Sequence, residues 1–135
     1  EALRRHPAMG AEIVRPVLPL AEAGVVEMIL HHHERFDGKG YPHGLAGTAV
    51  PFGARIITLA DSLSAMLQDR PYRPALGFDA AVAEILRGRG AQFDPEVAEA
   101  FLDHREHFRT LCAGIRETVA RMESGLRGLG LAPAV

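Results

Sequence analysis

The sequence predicts an all-α fold, and three observations carry that prediction. Apolar residues recur at three- and four-residue steps along nearly the whole chain, the spacing of a helix face. No stretch gives a convincing strand pattern. Proline and glycine fall where such helices would start and stop, as their backbone constraints require.

The elements follow in order. His6-Pro7 opens a short first helix, with Pro7 in the tolerated first turn. It should end near Pro16, because proline disfavours a continuing helix. A second helix is expected from about Leu20 to His33, with Val25, Val26, Ile29 and Leu30 as its inner stripe. Residues 34–50 read as a loop, since Asp37-Gly38, Lys39-Gly40 and Gly44 to Gly47 are turn chemistry. Pro51 opens a third helix whose stripe is Phe52, Ile56, Leu59, Ala60, Leu63 and Leu67, ending before Pro71. A fourth helix carries Phe78, Ala81, Val82, Ile85 and Leu86 and stops at Gly88 or Gly90. Asp94-Pro95-Glu96 then supplies an N-cap, a first-turn proline and a favourable charge for a fifth. Phe108, Cys112, Ile115, Val119, Met122, Leu126 and Leu129 alternate steps of four and three. That is a heptad seam on a long last helix, weakened at its end by Gly125, Gly128 and Gly130.

Composition narrows the functional classes. The chain has 135 residues, 47% hydrophobic and 24% charged, which suits one globular core rather than disorder. A net charge of -2 gives no basic excess for duplex nucleic acid, so any phosphate recognition must be local. No apolar run approaches the roughly 18–20 residues that span a bilayer. The single Cys112 rules out an internal disulfide and fits a reducing, cytoplasmic compartment.

Histidine is the informative residue. There are seven, and three are consecutive at 31–33. If the second helix continues through them, His33 lies over Ile29 and Leu30, and His32 over Met28 and Ile29. Those two then point inward, whereas His31 lies over Glu27 and Gly24 on the polar side. Adjacent inward imidazoles suit divalent transition metals; the plainer alternative is a solvated helix end. Asp61 sits at the edge of the third helix's apolar stripe, where a carboxylate is costly unless paired or coordinated. The alternative is a rim Asp that reaches water or an arginine. In the loop, Tyr41 offers a ring face for a base and a hydroxyl for a phosphate. Arg70 and Arg73 are guanidinium forks suited to phosphate, or else to salt bridges.

Taken jointly these segments are far more specific. His6-Pro7 is followed by His32-His33-Glu34-Arg35-Phe36-Asp37-Gly38-Lys39-Gly40-Tyr41-Pro42, then Ala54-Arg55-Ile56, Ala60-Asp61, Asp69-Arg70-Pro71-Tyr72-Arg73 and Gly90-Ala91-Gln92-Phe93-Asp94-Pro95. This order resembles the HD-GYP family, a branch of the HD phosphohydrolases, over roughly residues 1–102. The resemblance implies an HD-type helical bundle that hydrolyses cyclic di-GMP with two or three iron or manganese ions. It implies His6, His32, His33 and Asp61 as metal ligands. It also implies Tyr41, Arg70 and Arg73 as substrate-binding residues.

The chain departs from the family pattern at two points. The family's His-Asp doublet falls upstream of the position of His6 and is absent here. Ser64 stands where members commonly carry Asp; it is expected at a substrate-binding position, with a weaker contact from its shorter, neutral side chain. The expectation is therefore a partial bundle: the C-terminal part of an HD-GYP domain over 1–104, then a helical tail over 105–135. Its apolar faces call for the N-terminal part of the domain or a homodimer to cover them. The leading function is a metal-dependent cyclic di-GMP phosphodiesterase. The alternative is a degenerate, non-catalytic module that binds a cyclic dinucleotide or a signalling partner such as a diguanylate cyclase domain.

Overall fold

The computed structural model describes residues 2–128. A 3-10 turn at Ala2–Arg5 leads into α1 (His6–Val14), α2 (Leu18–Glu22) and α3 (Val25–His31). After a long loop come α4 (Phe52–Leu67), α5 (Phe78–Gly88), α6 (Pro95–Asp103) and α7 (Arg105–Gly128). Among the described residues there is no strand, only isolated bridges such as Asp37 to Ala46. The all-α expectation holds.

The chain divides into two compact units, Glu1–Ala100 and Phe101–Val135. In the first, α3 is the central strut and packs on α1, α2 and α4, while α5 packs on α4. The close approach of α3 to α4 depends on Gly53, where an added Cβ would lie 2.4 Å from the Met28 sulfur. Ala54, Leu59, Leu63, Leu67, Ala81 and Ile85 are buried. At about 1.5–3 kcal/mol for each large apolar side chain, they hold α4 and α5 together. Arg55 and Asp94 form a nearly buried ion pair that ties α4 to the start of α6.

Three element-level expectations need correction. The helix expected over Leu20–His33 is broken: Gly24 takes φ 74, a left-handed conformation in which a helix cannot continue. α3 also stops at His31, two residues early. The buried face of α4 is rotated from the expected stripe. Ala54, Thr58, Leu59, Leu63 and Leu67 are inside, whereas Phe52, Ile56 and Ala60 are exposed. The close contact of Gly53 with Met28 turns the small residues inward, and Phe52 lies outside under the Arg55 guanidinium, 5.0 Å from its ring centroid.

Asp94 does cap the next helix, accepting the Glu96 amide at 2.8 Å. In the second unit the Phe101 and Phe108 rings meet at 5.2 Å. Ile115, Val119 and Met122 of the heptad seam are exposed. Leu129 and Gly130 lie outside the described residues.

Candidate metal centre

The end of α3 and the loop after it build the site. Because α3 terminates at His31, the next two residues turn out of the helix, with His32 as its C-cap. Their rings meet His6 at the start of α1. His6 Nε2 lies 3.2 Å from His32 Nε2 and 3.1 Å from His33 Nε2. Asp61, one helix away on α4, lines the same cleft of about 190 Å³ as His32 and His33 without joining the tight imidazole trio.

The trio fits a transition metal. His32 Nδ1 lies 2.6 Å from the Ile29 carbonyl, which can only accept, so Nδ1 carries the proton and Nε2 a lone pair. Burial lowers the pKa of His33, as do the neighbouring His32 and His6 rings, against an opposing pull from Asp61. The shift favours the neutral ring, the form that ligates. Nitrogens about 2.1 Å from one ion at right angles sit about 3.0 Å apart, close to the contacts between His6 and its two neighbours. Thr58 steadies the turn: its hydroxyl lies 2.8 Å from both the His32 and Ala54 carbonyls.

His31 reverses the expectation from helical phase. It is 5% exposed and points into the loop rather than to the polar side. Its Nδ1 donates to the Glu27 carbonyl at 2.9 Å, so its Nε2 accepts from His43 Nδ1 at 3.0 Å. Glu34 is 1% exposed, and its carboxylate accepts the His43 and Leu45 amides at 2.7 and 3.2 Å. These residues clamp the Gly-Tyr-Pro loop. His31, Glu34 and His43 also bring possible ligand atoms within 4.8 Å of one another. Each already has a hydrogen-bond partner, which fits a structural clamp.

The clamp sets Tyr41. Its amide donates to the His33 carbonyl at 3.2 Å, and its ring stacks on His33 with centroids 5.0 Å apart. The Tyr41-Pro42 peptide is cis. Arg70 and Arg73 are brought together by paired backbone hydrogen bonds of 2.9 and 3.0 Å. Both line a second cleft of about 440 Å³ with Tyr72 and Glu84. Ser64 is exposed on α4, accepts from Gln68 at 3.0 Å, and lines neither cleft. Ser62 and Gln92 line both clefts. Sequence reasoning gave neither a role, although Gln92 stands within the ordered motif, and no spacing rule marks Ser62. Gln92 is presented by a tight turn in which the Ala91, Gln92 and Phe93 amides all donate to the Gly88 carbonyl.

Residues 1–97 match a family model described as an HD domain. The chain belongs to the HD domain family. Its Gly-Tyr-Pro loop and its relatives place this HD domain in the HD-GYP branch. It is 39% identical over 120 residues to a cyclic di-GMP phosphodiesterase response regulator of Xanthomonas campestris, covering 88% of this chain and 32% of that protein. It is 40% identical over 103 residues to a cyclic di-GMP phosphodiesterase of Thermotoga maritima, covering 76% and 28%. A solved cyclic GMP-AMP-specific phosphodiesterase of V. cholerae superposes with a TM-score of 0.65 at 29% identity, covering 93% of this chain and 27% of that chain. The chain thus spans about a third or less of each. No described helix is long and apolar enough to cross a membrane.

Proposed function

We propose that the chain belongs to a phosphodiesterase that hydrolyses cyclic di-GMP, with His6, His32, His33 and Asp61 as its share of the metal ligands. The single observation that carries this is the convergence of three imidazole Nε2 atoms beside a cleft that also holds Asp61. The donor set suits iron or manganese, and the proposal takes two or three ions. When bound, such ions activate water for attack on phosphorus and offset charge on the phosphate oxygens.

The chain's own residues do the rest. The Ile29 carbonyl holds His32 in the ligating tautomer. Tyr41, fixed against His33, presents a ring face to a base and a hydroxyl to a phosphate oxygen. Arg70 and Arg73 engage a further phosphate or a base edge through bidentate donors. Ser64 lines neither cleft, and the proposal rests no substrate contact on it. The proposal places the protein in the cytoplasm, with diguanylate cyclase domains and a second copy of the chain as candidate partners.

Full-length protein loaded with Mn(II) or Fe(II) is expected to open cyclic di-GMP to a linear product, and chelation to abolish the reaction. Stoichiometric metal without turnover would overturn the enzyme in favour of a non-hydrolysing binding module. The cyclic GMP-AMP-specific structural relative favours one second reading, 3′3′-cGAMP as substrate. Faster turnover of 3′3′-cGAMP than of cyclic di-GMP in the same assay would establish it.

A further inference from the structure

The histidine cleft and the arginine cleft share two lining residues, Ser62 and Gln92. Gln92 Nε2 lies 3.1 Å from Ser62 Oγ. The orientation of the amide is settled by its other end, where Arg35 Nη1 lies 3.4 Å from Oε1. A guanidinium only donates, so the oxygen must face Arg35 and the NH2 must face Ser62. Arg35 is itself held by a two-pronged pair with Asp37 at 3.0 and 2.8 Å. The Gln92 backbone is pinned as well: its amide donates to Gly88 at 2.9 Å and its carbonyl accepts from Phe36 at 3.3 Å.

This fixes the role left to Ser62. Its oxygen accepts from Gln92, and no acceptor among the described residues takes its hydroxyl proton. A hydroxyl with its acceptor side occupied and its donor side open, at the passage between two clefts, is built to donate to an oxygen.

Resting on the function proposed above, we propose that Ser62 donates a hydrogen bond to an oxygen of a phosphate-bearing nucleotide reaching from the histidine cleft into the arginine cleft. Gln92 is the positioning residue that turns the Ser62 proton outward. A small phosphodiester held at the histidines has no second phosphate to reach past Ser62 and Gln92 towards the arginine cleft, so it gains little from the pair.

The test uses full-length, metal-loaded protein and two probes, cyclic di-GMP and the small diester bis(p-nitrophenyl) phosphate. Ser62→Ala should weaken cyclic di-GMP binding about tenfold, the usual scale for one hydrogen bond to a charged oxygen. It should leave kcat/KM for the small diester within about twofold, and Ser62→Thr should restore binding. Gln92→Glu is the sharper variant. It keeps an oxygen towards Arg35 but replaces the donor facing Ser62 with an acceptor, so the serine proton turns inward. It should reproduce the Ser62→Ala loss, and the double variant should lose no more than either alone. Equal losses for both probes, or unchanged cyclic di-GMP binding in Ser62→Ala and Gln92→Glu, would overturn the proposal. Binding is read by calorimetry and does not need turnover. Failure of the wild type to hydrolyse cyclic di-GMP would therefore count against the proposed activity, not against the bridge.

Discussion

A Cβ added at Gly40 would lie 2.4 Å from the Arg35 amide nitrogen and 2.6 Å from the His33 carbonyl oxygen. Both neighbours are backbone, so neither can swing aside. The loop lies directly on the turn that delivers His32 and His33, and Tyr41 stacks on the result. Gly40→Ala is expected to displace that turn and cost metal affinity at least about tenfold, on the scale seen when residues supporting a ligand are lost. Unchanged Mn(II) affinity in this variant would show that the loop does not position the histidines. Asp37 acts in the same loop through charge. The hydrogen bond from Arg35 lowers its pKa from 3.8 to about 2. A depressed folded-state pKa gives stability that is present above about pH 3.8 and is lost as the pH falls through about 2. Thermal unfolding of metal-free protein across that window should show a steeper acid loss for the wild type than for Asp37→Asn, which cannot titrate. Parallel profiles would remove Asp37 from the account.

Among the described residues the most buried ion pair between elements is Arg55 to Asp94, with side chains 13% and 4% exposed. Arg55→Ala leaves a buried carboxylate without its partner and should cost about 3–5 kcal/mol of unfolding free energy. The double variant Arg55→Ala with Asp94→Asn should recover part of that loss, because no unpaired charge remains. Chemical denaturation of the three proteins measures both effects, and a double variant no more stable than Arg55→Ala would contradict the explanation. Most element positions were legible from apolar period and from proline and glycine punctuation. The failures have two causes. On α4 the close approach of Gly53 to Met28 rotates the buried face. Around the histidines, periodicity assumes that the helix continues, and α3 begins after Gly24 and ends at His31. His32 and His33 therefore reach the site because they leave the helix, while His31, still within it, is the most buried of the three. Their grouping with His6 came from the ordered motif. The clamp by Glu34 and His43, and the bridge by Ser62 and Gln92, depend on hydrogen bonds between segments distant in sequence, which no local pattern carries.

At the scale of the whole molecule, the unit Glu1–Ala100 holds both clefts and their ligand-type residues. The unit Phe101–Val135 contains a helix whose apolar seam is exposed at Ile115, Val119 and Met122. A seam of that period is the surface a second helix fits, which agrees with a function that needs more chain than this one. The relatives are about three or more times longer than the matched region, and the proposed function takes three imidazoles and one nearby carboxylate of this HD domain as its share of a metal centre. The most direct measurement of that claim is Mn(II) binding to the full-length protein, read by electron paramagnetic resonance, for the wild type and His33→Ala, with His107→Ala, a histidine outside the proposed ligand set, as a control. The account predicts bound Mn(II) in the wild type and the control, and affinity at least about tenfold weaker in His33→Ala, since losing a ligand should cost no less than losing its support. Equal Mn(II) binding in all three proteins would contradict it.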